Sequence, residues 1–443
     1  MKKLLFILAA VVTFFTACSD DDDKGVKTYD VTVKVVYPTG HDWSLNDIAV
    51  KLTDSNGTAY DATTDANGEA SFTVIAGLYE ASTSVKQAAD GYSYIYNGTK
   101  SGIVVSDAWN ATIPVSLDLT ESKAGQVIIK EIYVGGCQKD DGSGAWVKDK
   151  YIILYNNSDQ TAKITNACIG IAYPANAHAS TNDYDDNGEL RYKNDTFIPV
   201  GGAGYWYLPG ELEIAAYSQI VIPIFQAINH TTTYTNSVDL SNSAYYPMYD
   251  LGNGFTNASY YVAPSSSIPT SNYFKTVYYG MGNAWVIGDF SPALVLFTIN
   301  GDPVAYGQTD SNYYYYAGKD NNAVYRCVKI STEWILDAVE VFSEPNKENS
   351  KKRLTDAVDA GYTLLTNKYG HTSYRNVDKD ATEAIEGNSA KLVYSYDKGT
   401  ENSTDPSGID AEASIKNGAV IVYKDTNNST NDFHQRKQAS LKD

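Results

Sequence analysis

Asp183-Tyr184-Asp185-Asp186-Asn187-Gly188 is the stretch whose spacing best fits a definite chemistry. Alternate oxygens from Asp183, Asp185 and Asn187 can converge on a hard cation while Gly188 turns the chain sharply, the D-x-D-x-N-G pattern of a calcium loop. The twelfth position, where a bidentate Glu is wanted, is Asn194, with Asp195 one step late, and no flanking helix is evident. A solvated acidic turn is the competing reading, so calcium stands as the one candidate cofactor. The second chemistry is aromatic. Tyrosine occurs 37 times against 12 phenylalanines, and it buries a flat apolar face while keeping a polar tip in water. Tyr313-Tyr314-Tyr315-Tyr316 is the densest patch, backed by Tyr245, Tyr246, Tyr249, Tyr260, Tyr261, Tyr278, Tyr279 and Trp285. Neighbouring strand residues point to opposite faces, so at most two of the four share a surface. They offer a platform for a sugar, a catecholate or another planar ligand, or else ordinary sheet cover.

Groups that would catalyse are not assembled in any known pattern. His41, His178, His230, His371 and His434 are scattered, with no HExxH, no GxSxG elbow and no P-loop. Carboxylates are plentiful, yet none stands out as a glycosidase pair. The expectation is a protein that is not an enzyme, with a hydrolase as the remote alternative. Beyond Cys18 come Cys137, Cys168 and Cys327, without a CxxC, which weakens zinc and redox-motif readings. In an oxidising compartment one disulfide, Cys137 with Cys168, and one buried thiol are expected. The formal charge of −19 argues against nucleic acid, whose backbone needs a basic stripe.

Two kinds of segment must position these residues. From 27 to 120, short alternating runs are punctuated by Asn-Gly turns: Tyr29 to Val36, Ile48 to Thr53, Glu69 to Ile75, Gly77 to Thr83 and Asn110 to Leu119. They spell a small antiparallel β-sandwich, with Asp65 and Asn67 in a hairpin turn rather than on a metal. After a brief linker, 125–443 continues as a larger β domain, with strands at Gln126 to Tyr133 and Lys150 to Asn157. Its polar, Tyr-rich insertions fall at about 172–205, 229–290, 305–330 and 376–420. Ser350 to Ala360 is the one candidate helix. The fold class is therefore all-β: a small sandwich followed by a larger one with long insertions.

The start of the chain reads as an address. Lys2 and Lys3 precede the apolar run Leu4 to Phe15, too short to span a membrane and flanked like a cleaved signal, 1–17. Phe15-Thr16-Ala17-Cys18 places a cysteine where lipoprotein processing attaches diacylglycerol. Residues 18–26 then form an acidic tether, Ser19-Asp20-Asp21-Asp22-Asp23-Lys24-Gly25. That run resembles the export signal of Bacteroidota surface lipoproteins, which implies a lipid-anchored protein on the outer surface of the outer membrane.

Other stretches carry further resemblances. Thr63 to Ser82 looks like the prealbumin-like, carboxypeptidase-regulatory-like domains. Gln126 to Tyr133, Lys150 to Asp159, Pro209 to Glu211 with Gln219 to Pro223, Leu294 to Val304, Ser373 to Arg375 and Asp425 to Phe433 resemble, in order, the strands of the lamin-tail domain, an Ig-like sandwich. There Leu294 to Val304 matches a hairpin and the last two segments match closing strands. Ile153 stands where that family usually carries Glu. Over its whole length the chain is similar to a Bacteroidota lipoprotein family catalogued as a domain of unknown function. Members look like accessories of TonB-dependent outer-membrane transporters. What this implies is a surface lipoprotein that captures a metal complex or glycan for such a transporter. An adhesin or structural envelope protein that binds another protein is the alternative.

Overall fold

Alternation builds the first unit. In Thr28–Val36 every second residue from Val31 onward is buried, and Glu69–Ile75 repeats the pattern. The computed structural model describes residues 26–443 apart from 41–42, 90–91, 178–182, 286 and 289–291. Cys18, the leader, nearly all of the tether, His41 and His178 lie outside them. Thr28–Val36 pairs antiparallel with Glu69–Ile75 and parallel with Val115–Asp118. The facing sheet runs Ala59–Thr63, Ala49–Asp54, Gly77–Ala89, Tyr92–Val105, Thr120–Ala124. Val31, Val33 and Phe72 from the first sheet meet Leu52, Ala81 and Tyr96 from the second in one core. Ala59–Thr63, Tyr92–Val105 and Thr120–Ala124 escaped the sequence reading, the last taken for a linker, because all three are rich in polar residues.

The larger unit is built differently. All seven residues of Val127–Tyr133 and all six of Tyr151–Asn156 are buried, so these strands are covered on both faces and cannot alternate. They lie in a five-stranded sheet, Gln219–Pro223, Tyr151–Asn156, Val127–Tyr133, Thr372–Arg375, Phe433–Arg436. A six-stranded sheet faces it: Lys275–Tyr278, Gly204–Tyr207, Cys168–Ile171, Ala293–Phe297, Ile335–Ser343, Thr363–Leu365. Ile129, Ile152 and Leu154 pack between them against Ile169, Leu294 and Val339. A third layer, Phe197–Val200, Arg326–Ser331 and Tyr313–Tyr315, covers the far side of the six-stranded sheet through Val200, Val328 and Ile330. The insertions cover the rest. Ile409, Ile421 and Tyr423 close over Ile128 and Tyr155, and Val238 and Leu240 close over Tyr151 and Ile153.

Three expectations for local structure are corrected. Residues 350–360 form no helix: a 3-10 turn, Glu344–Asn349, precedes them, and Asp359 is spent bonding the Glu340 and Ser429 amides at 2.8 Å each. Leu294 to Val304 is not a hairpin. After Ala293–Phe297 the chain turns at Gly301, and Asp302 caps a helical turn, Pro303–Gly307, whose first residue is a proline. Asp425 to Phe433 is not a closing strand. It holds the helical turn Ser429–Asp432, and the strand Phe433–Arg436 follows. Among the described residues no helix is long and apolar enough to cross a membrane.

The strands of the five-stranded sheet carry charge inward. A bulge opposite Ile153/Leu154 skips Lys130 in the register. Its ammonium reaches Gln219 and Glu412 at 2.7 Å each, with the rings of Tyr155, Tyr374 and Tyr423 5.4–5.9 Å away. Burial pushes the Glu412 carboxyl up, but Lys130, Tyr374 and Arg436 together hold it below its ordinary range. Arg375 sits in a second hub. Its guanidinium lies 2.5 Å from Asp337, 3.0 Å from Asp425 and 3.8 Å from Asp432, all buried, and donates to the Ile129 and Lys424 carbonyls.

One cation cannot hold three buried anions in charged form, and burial pushes Asp337 and Asp432 up to about 7. His434 is driven the other way, down to about 3, by burial and then by Arg436. The two effects oppose each other in stability. Raised carboxyls favour the fold at low pH and lose that contribution as pH rises through about 7. A depressed histidine favours the fold above its unfolded value and loses that contribution as pH falls toward about 3. Relative to wild type, Asp432→Asn is therefore expected to fare worse at pH 5 than at pH 8. His434→Gln should recover, relative to wild type, as pH drops from 7 to 4.5. Each slope is at most about 1.4 kcal/mol per pH unit. Urea melts at three pH values read both, and parallel profiles for all three proteins would contradict the assignment.

Candidate functional site

A cleft of about 530 Å³, open to solvent, lies where the chain leaves the six-stranded sheet. Trp334, Leu336, Ile164 and Ile299 supply apolar walls; Thr165, Asn166, Thr298 and Asn300 add hydroxyls and amides, with Gly301 and Lys163 completing the lining. Three local structures position it. The turn after Ala293–Phe297 is fixed by Asp302, which accepts from the Val304 and Ala305 amides at 2.7 and 3.2 Å. Asn166 takes a positive φ of 52° and accepts from the Gly210 amide at 3.3 Å. The 3-10 turn Thr332–Trp334 presents the indole, and the Trp334 carbonyl accepts from the Thr298 amide at 2.9 Å. Behind the indole stands Tyr306, edge-on at 5.2 Å, its hydroxyl donating to the Lys329 carbonyl at 2.8 Å.

The one cation at this cleft is already paired. Lys163 donates to Glu211 at 3.0 Å and Glu213 at 2.6 Å, and those hydrogen bonds, Glu213's first, raise its pKa. The lining holds no histidine, cysteine or carboxylate. The arrangement can stack a ring on Trp334 and hydrogen-bond a polyhydroxylated molecule from its rim; it places no acid or base on the ligand. Sequence reading missed this site. A single Trp beside Ile-Leu reads as core, and only the turn before it leaves the indole half-exposed.

The tyrosine run behaves differently from a free platform. Tyr313 and Tyr315 share one face of their edge strand, with ring centroids 6.4 Å apart. The Arg326 guanidinium already lies 4.5 Å from the Tyr313 ring and 5.9 Å from that of Tyr315. Tyr314 points the opposite way, donating to Asp183, and Tyr316 is buried between Tyr173 and Tyr325. Trp285 is withdrawn altogether: it is fully buried in the main core, its amide donating to Tyr261. The expectation that it lines a ligand surface is corrected.

The calcium reading is corrected in the same way. Asp185 accepts from the amides of Asn187 and Glu189 at 2.9 Å each, and Gly188 turns the chain with φ 78°. Asp54 does the same for Asn56 and Thr58, and Asp65 for Asn67 and Glu69. All three are D-x-N-G turns, and their backbone amides lower each aspartate's pKa. Asp183 is buried and spent on the Tyr314 hydroxyl, the Ala317 amide at 2.9 Å and Arg191. Among the described residues, no three His, Cys, Asp or Glu side chains gather where a metal could be held. Calcium and a chelator are accordingly expected to leave the melting temperature unchanged. Asp183→Ala, which strands buried donors, should cost about 1–3 kcal/mol; a calcium-dependent rise in melting temperature would restore the metal reading.

The disulfide is corrected too: Cys137, Cys168 and Cys327 are free and buried. Cys137 sits 3.6 Å from Asp149, which also accepts from Tyr133 at 3.1 Å and Ser237 at 2.6 Å. Cys168 packs between the six-stranded sheet and the third layer, its thiol donating to the Asn166 carbonyl, and Cys327 lies in the strand Arg326–Ser331. Burial pushes the Cys137 thiol up to about 12 and the other two well above the ordinary range, which makes them poor nucleophiles. His230 has both ring nitrogens engaged, one by Trp146 at 3.2 Å and the other by the Gln226 carbonyl at 2.9 Å.

Residues 218–440 match the family described as "Protein of unknown function (DUF4876)". Three solved structures are similar. A DUF4876 family protein from Bacteroides thetaiotaomicron is 22% identical, with 91% of this chain and 94% of that one covered and a TM-score of 0.49. A DUF3823 family protein from Parabacteroides merdae is 11% identical over 44% of this chain and 83% of that one, with a TM-score of 0.16. BcpA, the major pilin subunit of Bacillus cereus, is 11% identical over 71% and 95%, also with a TM-score of 0.16. No curated protein matches.

Proposed function

The chain belongs to the DUF4876 family, and on that premise we propose that it is a lipid-anchored surface protein that captures a neutral glycan in the Trp334 cleft. One observation carries the reading: an indole and aliphatic walls rimmed by hydroxyls and amides, with the single rim cation held by two glutamates. Such a lining favours stacking and hydrogen bonding over the recognition of a charged metal complex. The absence of acid and base groups from the lining favours capture over hydrolysis. The anchor at Cys18, display at the outer surface and delivery to a TonB-dependent transporter belong to the same proposal. They rest on the lipobox and the acidic run that follows it.

The test is a thermal-shift screen of the chain against neutral oligosaccharides, ferric catecholates and haem, repeated with Trp334→Ala. Ligand that binds the native state raises its melting temperature. A rise with one oligosaccharide class, lost in the variant, supports the proposal. A rise with ferric chelates that survives in the variant would move the site elsewhere and change the ligand class.

A further inference from the structure

At one end of the small sandwich four apolar side chains face solvent: Val26 is 75% exposed, Val104 62%, Leu78 51% and Ile75 44%. Strand register gathers them. Thr28 pairs with Ile75, and Leu78 with Val104, so the start of the first strand and the two chain reversals meet at one tip. Alternation turns Ile75 to the outer face of one sheet and Leu78 and Val104 to the outer face of the other, so this end of the sandwich is apolar on both sides. The larger unit cannot cover it, because that unit attaches at the opposite end. There Asn97, paired with Thr120, donates to the Asn427 carbonyl, and the Gly125 amide donates to the Leu336 carbonyl. The first strand separates the two ends by about 26 Å.

What lies beyond the tip is set by the chain itself. Cys18 precedes Val26 by eight residues, which reach at most roughly 28 Å when fully extended. We infer that this tip seats in the outer leaflet of the membrane, with Ile75, Leu78 and Val104 entering the headgroup–acyl boundary. The small sandwich then stands as a strut that holds the ligand-binding unit away from the surface. This rests on the Cys18 anchor proposed above. Confinement by the tether supplies the local concentration that so small a patch lacks by itself. Lys27, beside the tip, is held by Asp107 at 2.5 Å, so the contact is apolar and independent of anionic lipid.

The experiment uses the full chain, purified with its lipid and reconstituted into phosphatidylethanolamine–phosphatidylglycerol vesicles. A polarity-sensitive fluorophore is placed at Leu78→Cys, or at Asp118→Cys near the other end as the control; the native thiols are buried. The expected result is a blue-shifted Leu78 label, quenched by iodide severalfold less than the Asp118 label, and unchanged in high salt or in vesicles without phosphatidylglycerol. If the protein floats with the vesicles but both labels are equally water-exposed, the tip inference fails and the anchor stands. If the protein does not float and Cys18 carries no lipid by mass, both fail together.

Discussion

Replacing Arg375 by methionine is expected to cost the chain about 3–5 kcal/mol, a large part of a typical domain's stability. Arg375 is 1% exposed, and its side chain satisfies Asp337, Asp425 and the Ile129 and Lys424 carbonyls while also lying 3.8 Å from Asp432. Those partners come from four separated segments. Removing the cation leaves carboxylates facing one another in a site without water-like dielectric, and each must protonate or expose itself. The loss should be read by urea unfolding at pH 7.5. It should shrink at pH 5, where Asp337 and Asp432 are largely protonated in the fold already. Adding Asp337→Asn to the methionine variant should recover part of it, since one stranded charge is removed. A cost under about 1 kcal/mol would mean the hub is not a buried ionic centre.

Trp334→Ala is expected to weaken glycan binding by roughly thirtyfold or more, the loss typical of an aromatic anchor worth about 2 kcal/mol. The half-exposed indole leans on Tyr306 at the edge of the second core, so the variant's melting temperature is measured beside its affinity to show that the fold remains. Its carbonyl still accepts from Thr298 in the variant, which preserves the cleft wall. Lys163→Ala should change affinity little, because that ammonium already belongs to Glu211 and Glu213. Tyr313→Ala should change it little as well, and this comparison separates the cleft from the tyrosine strand. Calorimetric titration of the three variants decides the matter: loss at Tyr313 with retention at Trp334 would return the site to the strand at 313–316.

Sequence patterning carried five of the eight described strands of the first unit. Where one face of a strand is buried and the other wet, the period of two is written in the residues, as in Thr28–Val36. The D-x-N-G turns were equally plain in two of three places. At the third, Asp183 two residues earlier imitated a metal loop, and only its burial against Tyr314 shows otherwise. The larger unit was legible in class and in a few strands, Val127–Tyr133, Tyr151–Asn156, Gln219–Pro223 and Thr372–Arg375 among them. Strands covered on both faces lose alternation, and a closing strand shifted past Phe433 is indistinguishable by pattern from the turn before it.

By itself, then, the sequence determined the all-β class, the division of strands between a small and a larger unit, and the family. The class and the strands follow from local periodicity and turn chemistry, which act over a few neighbouring residues; the family rests on resemblance along the chain. The tertiary structure alone decided which aromatics face water. Trp285 and Trp334 have similar neighbourhoods in the chain, but one is carried by the 229–290 insertion into the main core and the other stands on a turn beside a cleft. It also decided that three cysteines stay apart and that Arg375 meets carboxylates up to 57 positions away. Burial and charge pairing depend on what distant segments bring to a site, and no spacing within one segment records that.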